Sequence, residues 1–260
     1  MKAFGAQSSS DNLEQIIEPS ALPLDLTVSE PMAAAGINPH RVVLVKTTDR
    51  AAGVRRAIEL LQPPSFSNKQ VFIKPNYNTA DPAPASTDPV ILETLVQEIQ
   101  GSGARAITVG DRSGMANTRS AMTQRRVFDL AQRYGFKALV FDELGRSDWQ
   151  YFAAAGTNWS RGFAIARPVL NADAVVNVCC LKTHRFGGHF TLALKNTIGM
   201  VARYVPGDGH DYMRELHRSG NQRLMIAEVN KAYRPALNII DGVDAFVGGG
   251  PEAGQRVKAG

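Results

Sequence analysis

The segment VVNVCCLKTHRFGGHFTLALKN, residues 175–196, runs from an apolar strand into a polar burst. Lys182, Thr183 and His184 come at once, and His189, Thr191, Lys195 and Asn196 follow. Lysine and histidine side by side can exchange protons, because crowded ammonium groups lower one another's pKa until one becomes a usable base. The same lysines can hold a carboxylate or a phosphate. Other chemistry-bearing residues follow apolar runs elsewhere: Lys74, Pro75 and Asn76 after QVFI, Asp111 after AITVG, Asp142 and Glu143 after ALVF, and Asp241 after ALNII. Four of the five histidines lie in 184–217, which brings His217 in reach of the same chemistry.

The elements that must position these residues read as strands alternating with helices, the pattern of a mostly parallel α/β sheet with helices on both faces. Strands are expected over 41–48, 70–78, 104–111, 137–143, 172–182 and 235–242. Helices are expected over 51–61, 90–103 with Asp88 as N-cap and Pro89 at N1, 119–134, 191–202 and 222–233. WQYFAA (149–154) and GFAIARPV (162–169) suggest a hairpin, 203–220 a polar loop, and the tail from Val247 a loop. Residues 1–39, rich in Ser, Pro and Ala, read as a flexible arm ahead of one α/β domain over 40–260. In open parallel sheets ligands bind beyond the carboxyl ends of the strands, which is where the polar residues fall.

Each of these residues also has a plain structural reading. Lys74 can snorkel past Pro75, Asp111 can cap a turn, and Asp241 before Gly242 is a common turn pair. Taken as chemistry, Lys182 and His184 form an acid–base centre, Lys74 and Lys195 hold an anion, and Asn76 and Asp111 orient it. Thr183, Thr191, Asn196 and His217 complete the binding set, with Thr191 capping the helix that follows and Gly187 and Gly188 letting the backbone close on a ligand. His184 and His189 with Asp111 or Asp241 would make a borderline ligand set for a divalent metal. GDRSG (110–114) and VGGGP (247–251) are glycine-rich loops, but neither matches a Walker A or dinucleotide fingerprint.

Composition narrows the classes. The 260 residues are 44% hydrophobic and 20% charged, with a net charge of +5. The basic residues are scattered, without a block of five, so nucleic acid is not the expected partner and a small anion is. The two cysteines, Cys179 and Cys180, are adjacent in an apolar run and read as core residues; no iron–sulfur cluster is ligated by this chain alone. The first residues lack an apolar h-region, and no run approaches the roughly 20 residues of a membrane span. A cytoplasmic location is expected.

Several motifs in order, IKPN (73–76), Thr87-x-Pro89, VGD (109–111), LKTH (181–184), ALKN (193–196) with Gly199, HR (217–218), and IIDG (239–242) followed by GGGP (248–251), resemble the uncharacterised family known as domain of unknown function 362. The resemblance covers about residues 42–256. It implies an α/β fold and no established reaction. Many members carry a ferredoxin-like iron–sulfur module, so a separate ferredoxin-like protein is an expected partner in one reading. Members also continue beyond the GGGP loop, so the resemblance implies a shortened or truncated chain here. A remoter similarity, to the N-terminal domain of the nickel-dependent lactate racemases, implies lysine and histidine chemistry of the racemase, isomerase or redox type on a 2-hydroxy acid. The competing expectation is a non-catalytic module that binds an anion or a metal or docks an iron–sulfur protein.

Overall fold

The computed structural model describes residues 41–186 and 189–260; the expected arm over 1–39 and the glycine pair Gly187 and Gly188 lie outside them. Helix α1 (Arg50–Leu61) starts at Asp49, whose carboxylate accepts the Ala52 N–H at 3.0 Å. Strand β1 (Gln70–Lys74) stops at Pro75, which has no N–H to extend the ladder. Helix α2 (Pro89–Gly101) has the expected cap: Asp88 accepts from Val90 N at 2.9 Å and Pro89 sits at N1. Strand β2 (Ala106–Asp111) follows. The stretch expected as a single helix is two, α3 (Thr118–Gln124) and α4 (Val127–Tyr134), divided at Arg126 with its left-handed φ of 62°.

Strand β3 (Lys137–Val140) ends in a short 3-10 turn, and β4 (Trp149–Phe152) and β5 (Phe163–Ala166) form the suggested hairpin as a separate two-stranded sheet. After the single turn α5 (Arg167–Leu170), β6 (Ala174–Thr183) is the long buried strand. The chain then doubles back as β7 (Phe190–Thr191), makes one turn, α6 (Ala193–Asn196), and continues in a 3-10 turn over Thr197–Met200. Helices α7 (Tyr212–Arg218) and α8 (Gln222–Val229) precede β8 (Leu237–Gly249) and β9 (Gly254–Lys258).

The main sheet runs in the order β3-β2-β1-β6-β8-β9, with β7 paired on the end of β6. Its first five strands are parallel, and β9 and β7 are antiparallel additions. Alternation along β1 divides the core. Val71 and Ile73 pack with Leu92, Leu95 and Ile99 of α2 on one face. Phe72 packs on the other with Phe141, Trp149 and the apolar sides of α7 and α8. The α/β class with helices on both faces is therefore as the alternation of elements implies.

Three expected elements differ. Residues 41–48 form no strand: Val42 and Leu44 are about nine-tenths exposed, and the place beside β8 is taken by β9. The tail expected as loop is instead the β8–β9 hairpin. The helix expected over 191–202 is only one turn, because Thr191 is drawn into the ladder opposite Lys182. Among the described residues no helix is long and apolar enough to cross a membrane. Cys179 and Cys180 are free and buried, as read, and burial raises both thiols to about 12.

The rings under β2 pack tightly at Gly110, where a Cβ would sit 2.7 Å from the Phe141 ring and 2.8 Å from that of Phe72. Gly110→Ala should therefore lower stability by about 1–3 kcal/mol, read from urea unfolding. An unchanged midpoint would mean that the two rings move aside freely.

Candidate functional site

A cavity of about 680 Å³ opens at the carboxyl ends of β1, β2 and β6. Its floor is set by one buried pair: Lys74 Nζ lies 2.6 Å from Asp111 Oδ1, and both side chains are almost wholly buried. Lys74 leaves β1 just before Pro75, and its ammonium also donates to the Pro75 carbonyl at 2.5 Å. Asp111 closes β2 and accepts two main-chain N–H groups, from Tyr77 and Arg112, both at 2.7 Å. Burial pushes the Lys74 amine down and the Asp111 carboxyl up, and each offsets the other by charge and hydrogen bond. Gly199 covers the pair so closely that a Cβ there would lie 2.6 Å from Asp111 Oδ1 and 2.7 Å from Lys74 Nζ.

Asn196 ties the strand ends together. Its amide donates to Asn177 Oδ1 at 2.7 Å and to the Val178 carbonyl at 3.0 Å, and reaches the Lys74 and Pro75 carbonyls at 3.4 and 3.3 Å. Its oxygen accepts from Asn76 Nδ2 at 2.9 Å. Asn76 Oδ1 in turn accepts from Lys182 Nζ at 3.0 Å, and Lys182 also donates to the Ala85 carbonyl. The proline-rich loop thus supports the site in two ways. It supplies the Ala85 carbonyl, and it holds Asn76 through Thr87, whose hydroxyl accepts from Asn76 N at 2.8 Å and whose N–H donates to Asn76 O.

Lys195 stands apart. It lines the cavity, and among the described residues its ammonium has no hydrogen-bond or ion-pair partner. Burial, then the charges of Arg112 and Lys182, lower its pKa to about 8. His184 is buried, and its Nδ1 accepts the Phe186 N–H at 3.1 Å, so the ring proton sits on Nε2. Burial and then the Lys195 charge bring His184 down to about 4. His217 Nδ1 is 2.6 Å from the Met213 carbonyl, which can only accept, so its Nε2 is left as an acceptor; burial and then Lys195 among the charges lower this ring too.

Lys74, Asn76, Asp111, Lys182, His184, Thr191, Lys195, Asn196 and His217 therefore line one cavity. Three residues of the expected set do not. Thr183 is outside the lining, with its hydroxyl buried and unpartnered. His189 is exposed, and its carbonyl accepts from His184 N. Asp241 is held by Arg50, whose Nε lies 2.8 Å away and whose other arm pairs with Asp244. The expected metal set of His184, His189 and Asp241 is thus not assembled, and among the described residues no three His, Cys, Asp or Glu side chains come together to hold an ion. Thr191 does not cap a helix; it sits in β7, and α6 begins after Leu192. His210 Nε2 lies 2.7 Å from Glu215 Oε2.

The expected site set contains none of the four arginines that line the cavity wall, Arg112, Arg203, Arg214 and Arg218, although Arg218 belongs to the HR motif. Arg112 is a buried cation whose guanidinium donates to the Val201, Ile198 and Ser113 carbonyls at 2.9–3.0 Å. The other three belong to a stretch read as loop. The available signal was DYMRELHR: Asp211 caps α7 through Arg214 N at 2.8 Å, and Tyr212, Met213 and Leu216 have helical spacing.

Breaking the buried pair by one partner leaves an uncompensated charge. Lys74→Met or Asp111→Leu alone should cost about 3–5 kcal/mol, and the double variant distinctly less than the sum. Additive losses in a double-mutant unfolding cycle would show that the two charges do not support each other.

Among known proteins, a thylakoid-associated protein of Synechocystis sp. is 25% identical over 194 residues, covering 74% of this chain and 57% of that protein. The lactate racemase apoprotein of Thermoanaerobacterium thermosaccharolyticum superposes with a TM-score of 0.49 at 17% identity, over 75% of this chain and 49% of that one. The chain spans about half the length of these two relatives. The family model for a domain of unknown function, DUF362, matches residues 71–260, from β1 to the last residue, and the chain belongs to that family.

Proposed function

We propose that this chain is an enzyme that takes a small carboxylate- or phosphate-bearing substrate into the cavity and moves a proton on it. The observation that carries this reading is Lys195: a lysine lining the cavity without a partner among the described residues, brought to about 8 by burial and by neighbouring cations. A catalytic base works best with a pKa near the working pH. Lys182 and Lys74 are less suited, because their protons are committed to Asn76 and Ala85 in one case and to Asp111 and Pro75 in the other. The charge of Lys182, with that of Arg112, makes the cavity attractive to an anion and would stabilise negative charge developing on it, while that of Lys74 is offset by Asp111.

In this reading the substrate carboxylate meets the cationic floor and the Lys195 amine removes a proton from the adjacent carbon. The electron pair left on carbon is stabilised through the carboxylate and any neighbouring carbonyl. His184, neutral with its proton on Nε2, is a hydrogen-bond donor for a substrate oxygen, and His217 offers a bare nitrogen. The competing reading, a binding module without catalysis, is favoured by the way Arg112 and Lys182 spend their protons on main-chain carbonyls, a fixed positive field that binding alone would use.

Proton transfer is read by incubating the protein in deuterated water with a panel of small 2-oxo and 2-hydroxy acids and following loss of the carbon-bound proton by NMR. Exchange is expected for at least one acid, with a rate that rises with pH through about 8 as Lys195 loses its proton, and a loss of roughly a hundredfold or more in Lys195→Met. Anion binding without exchange in any member would replace the enzyme reading by the binding module.

A further inference from the structure

Seven lysines and arginines line the cavity against two aspartates, Asp111 and Asp211. Both carboxylates are already engaged. Asp111 is held by Lys74. Asp211 caps α7 and takes the Tyr204 hydroxyl at 2.6 Å and Arg203 Nε at 3.5 Å. What remains is positive charge at two places. One is the strand ends, with Lys195. The other is α7, where Arg214 and Arg218 both line the cavity, and among the described residues neither has a carboxylate partner. They are four residues apart on the helix, so they fall on one face, one turn from each other. Paired guanidiniums suit a phosphate, whose double charge and several acceptor oxygens match two planar donor forks.

Volume points the same way. A cavity of about 680 Å³ lies within the roughly 300–1,000 Å³ that holds drug-sized ligands and exceeds what a three-carbon acid fills. A single monoanion on the floor would leave the α7 wall uncompensated and most of the space to water.

We infer that the ligand carries two anionic groups: a carboxylate end that meets the Lys182 and Arg112 cations at the strand ends, beside Lys195, and a phosphate end that meets Arg214 and Arg218 on α7. The class is a phosphorylated small organic acid. This rests on the anion-binding reading above and adds the second group and its position. Arg214 and Arg218 are specificity determinants, while the carboxylate end remains with the strand-end cations and the proton transfer with Lys195.

Calorimetric binding of glycolate and phosphoglycolate, the same two-carbon acid without and with a phosphate, tests this at matched ionic strength. The wild-type protein should bind phosphoglycolate the more tightly. The Arg214→Gln/Arg218→Gln variant should lose roughly tenfold to a hundredfold in affinity for phosphoglycolate, with glycolate unchanged, and Lys195→Met should weaken both. Both arginines are exposed and, among the described residues, make no internal ion pair, so the variant should fold as the wild type does. If the arginine variant loses neither ligand, or loses both equally, the phosphate end is misplaced while the anion site stands. If the wild type binds neither acid, the anion site itself is wrong and this inference falls with it.

Discussion

The buried ion pair between Lys74 and Asp111 is the constraint on which the site depends. It joins the ends of two neighbouring parallel strands, β1 and β2, at a depth where either charge alone would be costly. Asp111 is further neutralised by two main-chain N–H groups, and Gly199 is the residue small enough to lie over the pair. Because Lys74 already takes the nearest carboxylate, the other cations of the cavity must find different partners. Arg112 and Lys182 turn to carbonyl oxygens, which satisfy their protons without cancelling their charge.

Lys195 follows from that arrangement. It sits next to Asn196, whose amide ties β1 and β6 together, so its backbone is fixed by a network in which its own side chain has no part. Enclosed with Arg112 and Lys182 as neighbours, its amine is less basic than a free lysine. It in turn pushes both His184 and His217 toward their neutral forms. The cavity thus combines buried cations with three nitrogen groups that can give or take a proton. Binding an anion and moving a proton need those two features together.

Much of this is legible in the sequence. The capping aspartate and proline of α2, the apolar run of β6, and the placing of Lys74, Asp111 and Lys182 at strand ends all follow from local rules and from how a parallel sheet presents its carboxyl edge. The failures came where a distant partner decides. The run 41–48 has the composition of a strand, but a strand needs a neighbour and β9 holds the position beside β8. Residues 191–202 have helical periodicity, but Thr191 pairs with Lys182 in the ladder and Gly199 has to approach the buried pair. Asp241 was grouped with histidines by its strand-end position, while Arg50, nearly two hundred residues earlier, claims it. Which of three lysines keeps an unspent ammonium is likewise a question of partners, which spacing alone does not show.

That a crowded lysine, without a partner among the described residues, faces the cavity is tested most directly by the ionisation of Lys195 itself. With lysine side chains isotopically labelled and Lys195→Met used for assignment, NMR titration of the folded protein should show this amine changing charge near about 8. A titration at the ordinary lysine value of 10.5 would mean that the group is neither enclosed nor crowded, and the central claim would be contradicted.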